Sequence, residues 1–152
     1  MKLECFLRKV PMSFSGTSQP ALLTPKRLKA ARQVLAIIWP TVLIHGMAIG
    51  ADSAIDAIAR ELHLPRKGHP SNKDSVKFIQ PETITPVRPV AERDRNIVQE
   101  GQLLLVMPPT DFELEKSGTW NQMRYNRQLG KPLIWIMLDG TVAEFMNGDW
   151  HS

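Results

Sequence analysis

A single cysteine, Cys5, stands in the whole chain. No internal disulfide can form, so the fold has to be held by a buried core. No apolar run approaches the roughly 20 residues that a membrane span needs. The segment Met1 to Val10 scatters basic residues among apolar ones and lacks the continuous apolar stretch of a secretory signal, which points to the cytoplasm. Internal repeats and low-complexity tracts are missing, as are the Walker loop and the GxGxxG fingerprint. His45, His63, His69 and His151 have no metal-ligand spacing, Ser13 and Ser15 lack the GxSxG elbow, and Cys5 has no histidine near it in sequence. Neither a metal site nor a resident cofactor is expected, nor a nucleophile of those types.

What is present suits one globular domain. The chain has 152 residues, 43% of them hydrophobic, enough to bury about two thirds of the surface that the unfolded form exposes. Its net charge of +4 and pI near 9.5 favour anionic partners. Much of that charge is local, in Lys26, Arg27, Lys29 and Arg32 and again in Arg66, Lys67 and Lys73. Clusters of this kind usually form a solvated face, so DNA binding is permitted without being indicated.

Along the chain, Val10 to Ser15 reads as a strand entering the small-residue loop Gly16-Thr17-Ser18-Gln19-Pro20. Thr24-Pro25 starts a helix, with Leu28, Ala31, Leu35 and Ile38 on one face and Pro40 at its end. Val42 to Ile44 is a second strand. A helix follows, with Asp52 as N-cap and Ile55, Ile58, Ala59 and Leu62 inward. Arg66 to Pro89 is polar and broken by prolines, an irregular connection with one short strand near Val76 to Ile79 and His69 in a solvent loop. Then come a helix over Ala91 to Glu100, a strand over Leu103 to Met107, a helix over Thr119 to Leu129, and a strand over Leu133 to Leu138. Strands that are apolar at every position are buried on both faces. Alternating with helices, they predict an α/β fold with a doubly wound, mostly parallel Rossmann-like sheet.

Ligands in such sheets sit beyond the carboxyl ends of the strands. Three glycine-bearing turns fall there: Gly16, Thr17 and Ser18 after Ser15; Gly46 to Asp52, with Gly50 between; and Ser117, Gly118 and Thr119. Glycine lets backbone amides approach phosphate, and a helix N-terminus favours an anion.

Taken together, the three turns carry a family resemblance. His45-Gly46-Met47-Ala48-Ile49-Gly50-Ala51-Asp52 resembles the glycine-rich signature of the SLOG superfamily, which includes the lonely-guy phosphoribohydrolases and DNA-processing protein A. Glu92-Arg93-Asp94-Arg95-Asn96-Ile97 resembles its arginine-bearing helix, and Leu103 to Pro109 followed by Ser117-Gly118-Thr119 its phosphate-cradling turn. The resemblance runs from about Val10 to about Gly140. It implies a nucleotide or nucleotide-derived ligand held by Gly16, Thr17, Ser18, Gly46, Gly50, Asp52, Arg93, Ser117, Gly118 and Thr119, with Arg93 on phosphate and sugar. It also implies a sensor or carrier of the kind found in phage-related and conflict systems, and members that often pair into homo-oligomers.

Departures from the family pattern bear on activity. The lonely-guy motif PGGxGTxxE is interrupted here by Thr110 to Lys116, and Gln122 stands where that motif has its catalytic glutamate. An amide cannot ionise, so lonely-guy-type hydrolysis would need another acid. Asp111, Glu113 and Glu115 in the inserted loop are the candidates, with a solvated loop as the plainer reading. Arg95, one helical step beyond Arg93, either joins it on phosphate or pairs on the surface with Glu92, Asp94 or Glu100; Trp120 is expected to lie in the core rather than stack on a base, and Arg124 and Arg127 to face solvent or a second copy. Ligand binding is the leading expectation. N-glycosidic hydrolysis is the alternative, and the third reading has the basic helix from Lys26 to Arg32 on single-stranded DNA.

Overall fold

Strand and helix alternate along the chain in a computed structural model that describes residues 7–151. Cys5 and most of the segment read against a signal peptide lie outside these. In order, the elements are β1 (Pro11–Gly16), α1 (Pro25–Ile38), β2 (Val42–His45), α2 (Ala51–Glu61), β3 (Arg66–Gly68), β4 (Thr83–Ile84), α3 (Val90–Glu100), β5 (Leu103–Met107), α4 (Gly118–Gln128), β6 (Leu133–Ile136) and β7 (Val142–Phe145). The sheet runs β4-β3-β2-β1-β5-β6-β7, parallel throughout except for the β6–β7 hairpin. This is the doubly wound, Rossmann-like architecture that the alternating pattern predicted.

The all-apolar strands explain the two layers. Leu103, Leu105 and Met107 of β5 pack with Ala30, Leu35 and Ile55 of α1 and α2. Leu104 and Val106 point the other way, against Val98 of α3 and Trp120 and Met123 of α4. Each fully buried Val, Leu or Ile contributes roughly 1.5–3 kcal/mol, so β5 adds to the burial that holds both helix layers. Trp120 is a core residue as expected, fully buried and edge-on to Trp135 with centroids 5.2 Å apart.

The caps follow sequence at α1, where Thr24 Oγ1 accepts from the Arg27 amide. At α2 they do not: the N-cap is Gly50 at φ 95°, and Asp52 lies inside the first turn. Its side chain bends back to accept from the amides of Gly46 (3.1 Å) and Ala48 (3.2 Å), bracing the preceding loop instead of capping its own helix.

The connection after α2 also departs from expectation. No strand forms near Val76 to Ile79; the pairing falls at β3 and β4. Polar β3 can be buried because each of its cations has an acid. Arg66 Nη1 is 2.8 Å from Asp56 and Lys67 Nζ 2.6 Å from Glu100. His69, expected in a solvent loop, is buried and lies 2.6 Å from Glu100 Oε1. Burial holds its pKa below the usual histidine range despite that partner.

Beyond Ile136 the last strand does not continue to Leu138. The chain turns through Gly140 at φ 88°, with Met137 donating to the Thr141 carbonyl, and returns as β7. The second core layer therefore extends past Gly140 to Phe145 and Trp150, whose ring lies 4.1 Å under the Arg127 guanidinium carbon. That contact half-buries Arg127, which was expected to face solvent or a second copy.

Candidate functional site: the cleft at the sheet switch point

After β1 the chain winds outward through β2, β3 and β4, then returns to place β5 on the other side of β1. The carboxyl ends of β1 and β5 therefore open a crevice between their diverging loops, the position where doubly wound sheets bind ligands. A cleft of about 990 Å³ lies there, walled by Ser15 to Gln19 on one side and by Thr110 and Ser117 to Thr119 on the other. Ser15 Oγ and Thr119 Oγ1, 3.2 Å apart, join the two walls. Leu22, Ile49 and Leu114 give the cleft an apolar margin.

The first two predicted turns are braced by one another. Thr17 donates its amide to Met107 O (2.9 Å), and its carbonyl accepts from Ala51 (2.8 Å). Its hydroxyl accepts from the Gln19 amide at 3.1 Å. A Cβ on Gly50 would stand 2.5 Å from Thr17 O, and one on Gly16 would overlap the Ala51 methyl. These glycines therefore serve close packing of loop on loop.

Gly46 and Arg93 form a second interlock. Arg93, expected on a ligand phosphate, is 3% exposed and turned into the protein. Its Nε donates to Asp94 (2.7 Å), Nη1 to the carbonyl of Gly46 (2.8 Å), and Nη2 to both oxygens of Asp74 (2.6 and 2.5 Å). A Cβ on Gly46 would fall 2.5 Å from Nη1, so glycine makes room for guanidinium there. Burial works against that charge, but Asp74, Asp94 and Asp52 outweigh it and hold the pKa above its ordinary value. Beneath this floor His45 Nδ1 accepts from the Met47 amide, which leaves Nε2 to donate to Asp56 at 2.8 Å.

The third turn is different. Ser117 caps α4, its hydroxyl accepting from the Trp120 amide. The first-turn amides of Gly118 and Thr119 have no acceptor within the helix. A Cβ on Gly118 would meet only Asp94 Oδ2, at 3.9 Å. Among the glycines of the three turns, this one alone faces open space.

Asp94 is the functional group that sequence reasoning missed. It follows Arg93 on α3, lines the cleft beside Gly118 and Gln122, and keeps 19% of its side chain exposed. Burial pushes its carboxyl up to about 6, with Arg93 pulling the other way and Asp74 and Asp52 adding to the rise. The sequence signal was its place one residue after the arginine of the helix, read there only as a surface partner. Gln122 donates its amide to the Asp94 carbonyl at 3.3 Å, so it positions the backbone that carries this acid.

The inserted-loop acids are committed elsewhere, except one. Asp111 accepts from the Leu138 amide (3.0 Å), and Glu113 pairs with Arg124 at 2.7 Å. Arg124 also donates to the carbonyls of Leu114 and Glu115, tying the insertion to α4. Glu115 is exposed. Arg27, grouped by sequence with a solvated basic face, is fully buried and donates to the carbonyls of Pro108, Ile136, Met137 and Leu22. It stitches the carboxyl ends of β5 and β6 behind the cleft. Among the described residues, no group of three or more His, Cys, Asp or Glu is placed to hold a metal ion. No helix among them is long and apolar enough to cross a membrane.

Fold and cleft together define a Rossmann-like architecture with a crevice at its switch point, and solved structures share that architecture. The molybdenum cofactor binding protein of Rippkaea orientalis matches 86% of this chain and 77% of its own, at 20% identity and TM-score 0.62. The molybdenum cofactor carrier protein of Chlamydomonas reinhardtii matches over 84% and 76%, at 17% identity and TM-score 0.61. DNA processing protein A of Helicobacter pylori, described for its single-stranded DNA binding mode, matches over 84% and 65%, at 21% identity and TM-score 0.53. No family model matches the chain, and no curated protein does. The chain shares the fold of these proteins, which is consistent with the SLOG resemblance carried by its glycine turns.

Proposed function

We propose that this chain is a cytoplasmic binding module for a nucleotide or nucleotide-derived ligand, with the phosphate seated on the first turn of α4. The observation that carries the reading is the open face of Gly118 at the switch point, where two helix amides without helical acceptors meet a cleft with an apolar margin. Ser117, Gly118, Thr119, Thr17 and Ser18 contact the ligand. Gly16, Gly46, Gly50, Asp52 and Arg93 act one layer back, holding the loops in place. A small-molecule carrier fits the neighbours named for the molybdenum cofactor, so that cofactor belongs among the probes.

The test is a thermal-shift panel of nucleoside monophosphates, ADP-ribose, NAD and molybdenum cofactor. At least one should raise the melting temperature in proportion to ligand concentration. Gly118→Val, which fills the open face and leaves the protein packing alone, should abolish the shift while keeping the melting temperature of the free protein within a few degrees. A flat panel sinks the reading.

A second reading, cleavage of an N-glycosidic bond, is supported by Asp94. A carboxyl titrating near 6 can hold a proton at neutral pH. It donates that proton to the departing base as the N-glycosidic bond breaks, water adds to the sugar carbon and gives up a proton that restores the acid through solvent, and the products are free base and sugar phosphate. This moves the acid from the inserted loop, where the sequence placed it, to α3. Base release from a nucleoside monophosphate that disappears in Asp94→Asn but survives Glu113→Gln would establish it. For the DNA reading, α1 offers less than its sequence suggested, since Arg27 is buried and Arg32 pairs with Glu61.

A further inference from the structure

A second cleft, of about 1060 Å³, continues from the first on the far side of the Ser117-Gly118 turn, between α3 and α4. The two share Lys73, Asp94, Lys116, Ser117, Gly118 and Gln122, so they form one groove with Gly118 at its waist. Four cations line the outer part: Lys73, Arg88, Arg95 and Lys116. Against them stand two acids, Asp94 and Glu115, which leaves a positive surplus.

Among the described residues, three of these cations carry no ion pair, and Arg88 keeps only a long, exposed one to Glu92 that a phosphate can displace. Sequence offered Arg95 three surface partners, and each is taken by another group. Glu92 faces Arg88 at 3.7 Å, Asp94 holds Arg93, and Glu100 holds Lys67 and His69. Among the described residues, Arg95, Lys73 and Lys116 have no ion-pair partner. Beside them Val87 is 56% exposed, and Pro89, Val90 and Tyr125 continue an apolar wall. Exposed cations beside an apolar wall suit a phosphate and a base rather than a buried protein contact.

We infer that the groove takes a ligand of two nucleotide units, one in the switch-point cleft and the second in the outer cleft with its phosphate on Arg88 and Arg95. Each half falls within or near the volume usual for a small-molecule site, roughly 300–1,000 Å³, so a mononucleotide leaves half of the groove empty. The inference rests on the reading of the inner cleft given above.

The experiment compares 5′-mononucleotides, 5′-phosphorylated dinucleotides and eight-residue oligonucleotides by calorimetry against the wild type and the double variant Arg88→Ala/Arg95→Ala. Both arginines are exposed and line only the outer cleft. A dinucleotide should bind about 10-fold or more tightly than its mononucleotide. The double variant should erase that advantage and leave mononucleotide affinity within about twofold. Equal affinity for one and two units, or an advantage that the double variant keeps, overturns the outer subsite. Affinity that climbs steadily from two units to eight overturns the two-unit limit in favour of a strand-binding groove. Dimerisation that occludes the outer cleft, seen by sedimentation and lost with Val87→Glu, also overturns it. If nothing binds the wild type at all, the inner-cleft reading has failed instead.

Discussion

Asp94→Asn isolates a raised carboxyl that still reaches the cleft. Burial raises this acid from 3.8 to about 6. Between these values the folded protein holds more protons at this site than the unfolded chain does, so stability from this group falls as pH rises from about 4 through about 6. Two pKa units correspond to about 3 kcal/mol, a ceiling because Asp74 and Asp52 are coupled to the same carboxyl beside the fixed charge of Arg93. Asparagine keeps an oxygen to accept from Arg93 Nε but cannot ionise. The variant should therefore gain on the wild type by up to about 3 kcal/mol on going from about pH 4 to about pH 7. Asp56, Asp74 and Glu100 have lowered pKa values and work in the opposite sense, with stability lost as pH falls below about 4. Asp56 and Glu100 are common to both proteins and drop out of the difference, whereas Asp74, which shares Arg93 with Asp94, leaves part of its coupling in it. Urea unfolding followed by tryptophan fluorescence, which reports the buried Trp120 and Trp135, gives the two stability curves. If the two curves run parallel across this pH range, burial of Asp94 is not what the structure implies.

Three further outcomes follow from how the cleft is supported. Arg27→Met should cost about 3 kcal/mol or more, because it strips the donors from four carbonyls behind the cleft; chemical denaturation measures it. Arg93→Ala should lower stability by about 3–5 kcal/mol and leave Asp74, Asp94 and Asp52 unopposed. Arg93→Lys should not rescue it, since one ammonium cannot span the same acceptors; a melting temperature unchanged in Arg93→Ala would return that side chain to the ligand. Gly50→Ala should destabilise by roughly 1–3 kcal/mol, because φ of 95° and the Thr17 carbonyl both exclude a methyl; hydrogen exchange should show the Thr17 loop opening with it.

Much of this architecture was legible in the sequence because burial on both faces leaves a direct mark. Leu103 to Met107 and Leu133 to Ile136 show no alternation, and a sheet covered on both faces accommodates such strands. The α1 cap was legible for the same reason, since Thr24-Pro25 satisfies local rules. What failed was decided at long range. Arg66 and Lys67 read as connection because nothing nearby in sequence announces Glu100 or Asp56 as their acids. Arg27 looks like its neighbours Lys26 and Lys29 until the carbonyls of Pro108, Ile136 and Met137 arrive from the other end of the chain. Within the cleft, glycines mark close approach without saying to what. At Gly46 the approaching group is Arg93, at Gly50 it is Thr17, and only at Gly118 is it open space. Asp94 was obscured because its character comes from burial between α3 and α4, which no local pattern records.

The most direct test of the central claim is amide chemical-shift mapping on titration with a 5′-nucleotide. A phosphate seated on the first turn of α4 predicts that the largest saturable shifts fall on Gly118 and Thr119, with smaller ones on Thr17 and Ser18. Gly118 and Thr119 unmoved at saturation, with the shifts instead on Lys26 and Lys29 of α1, would contradict it.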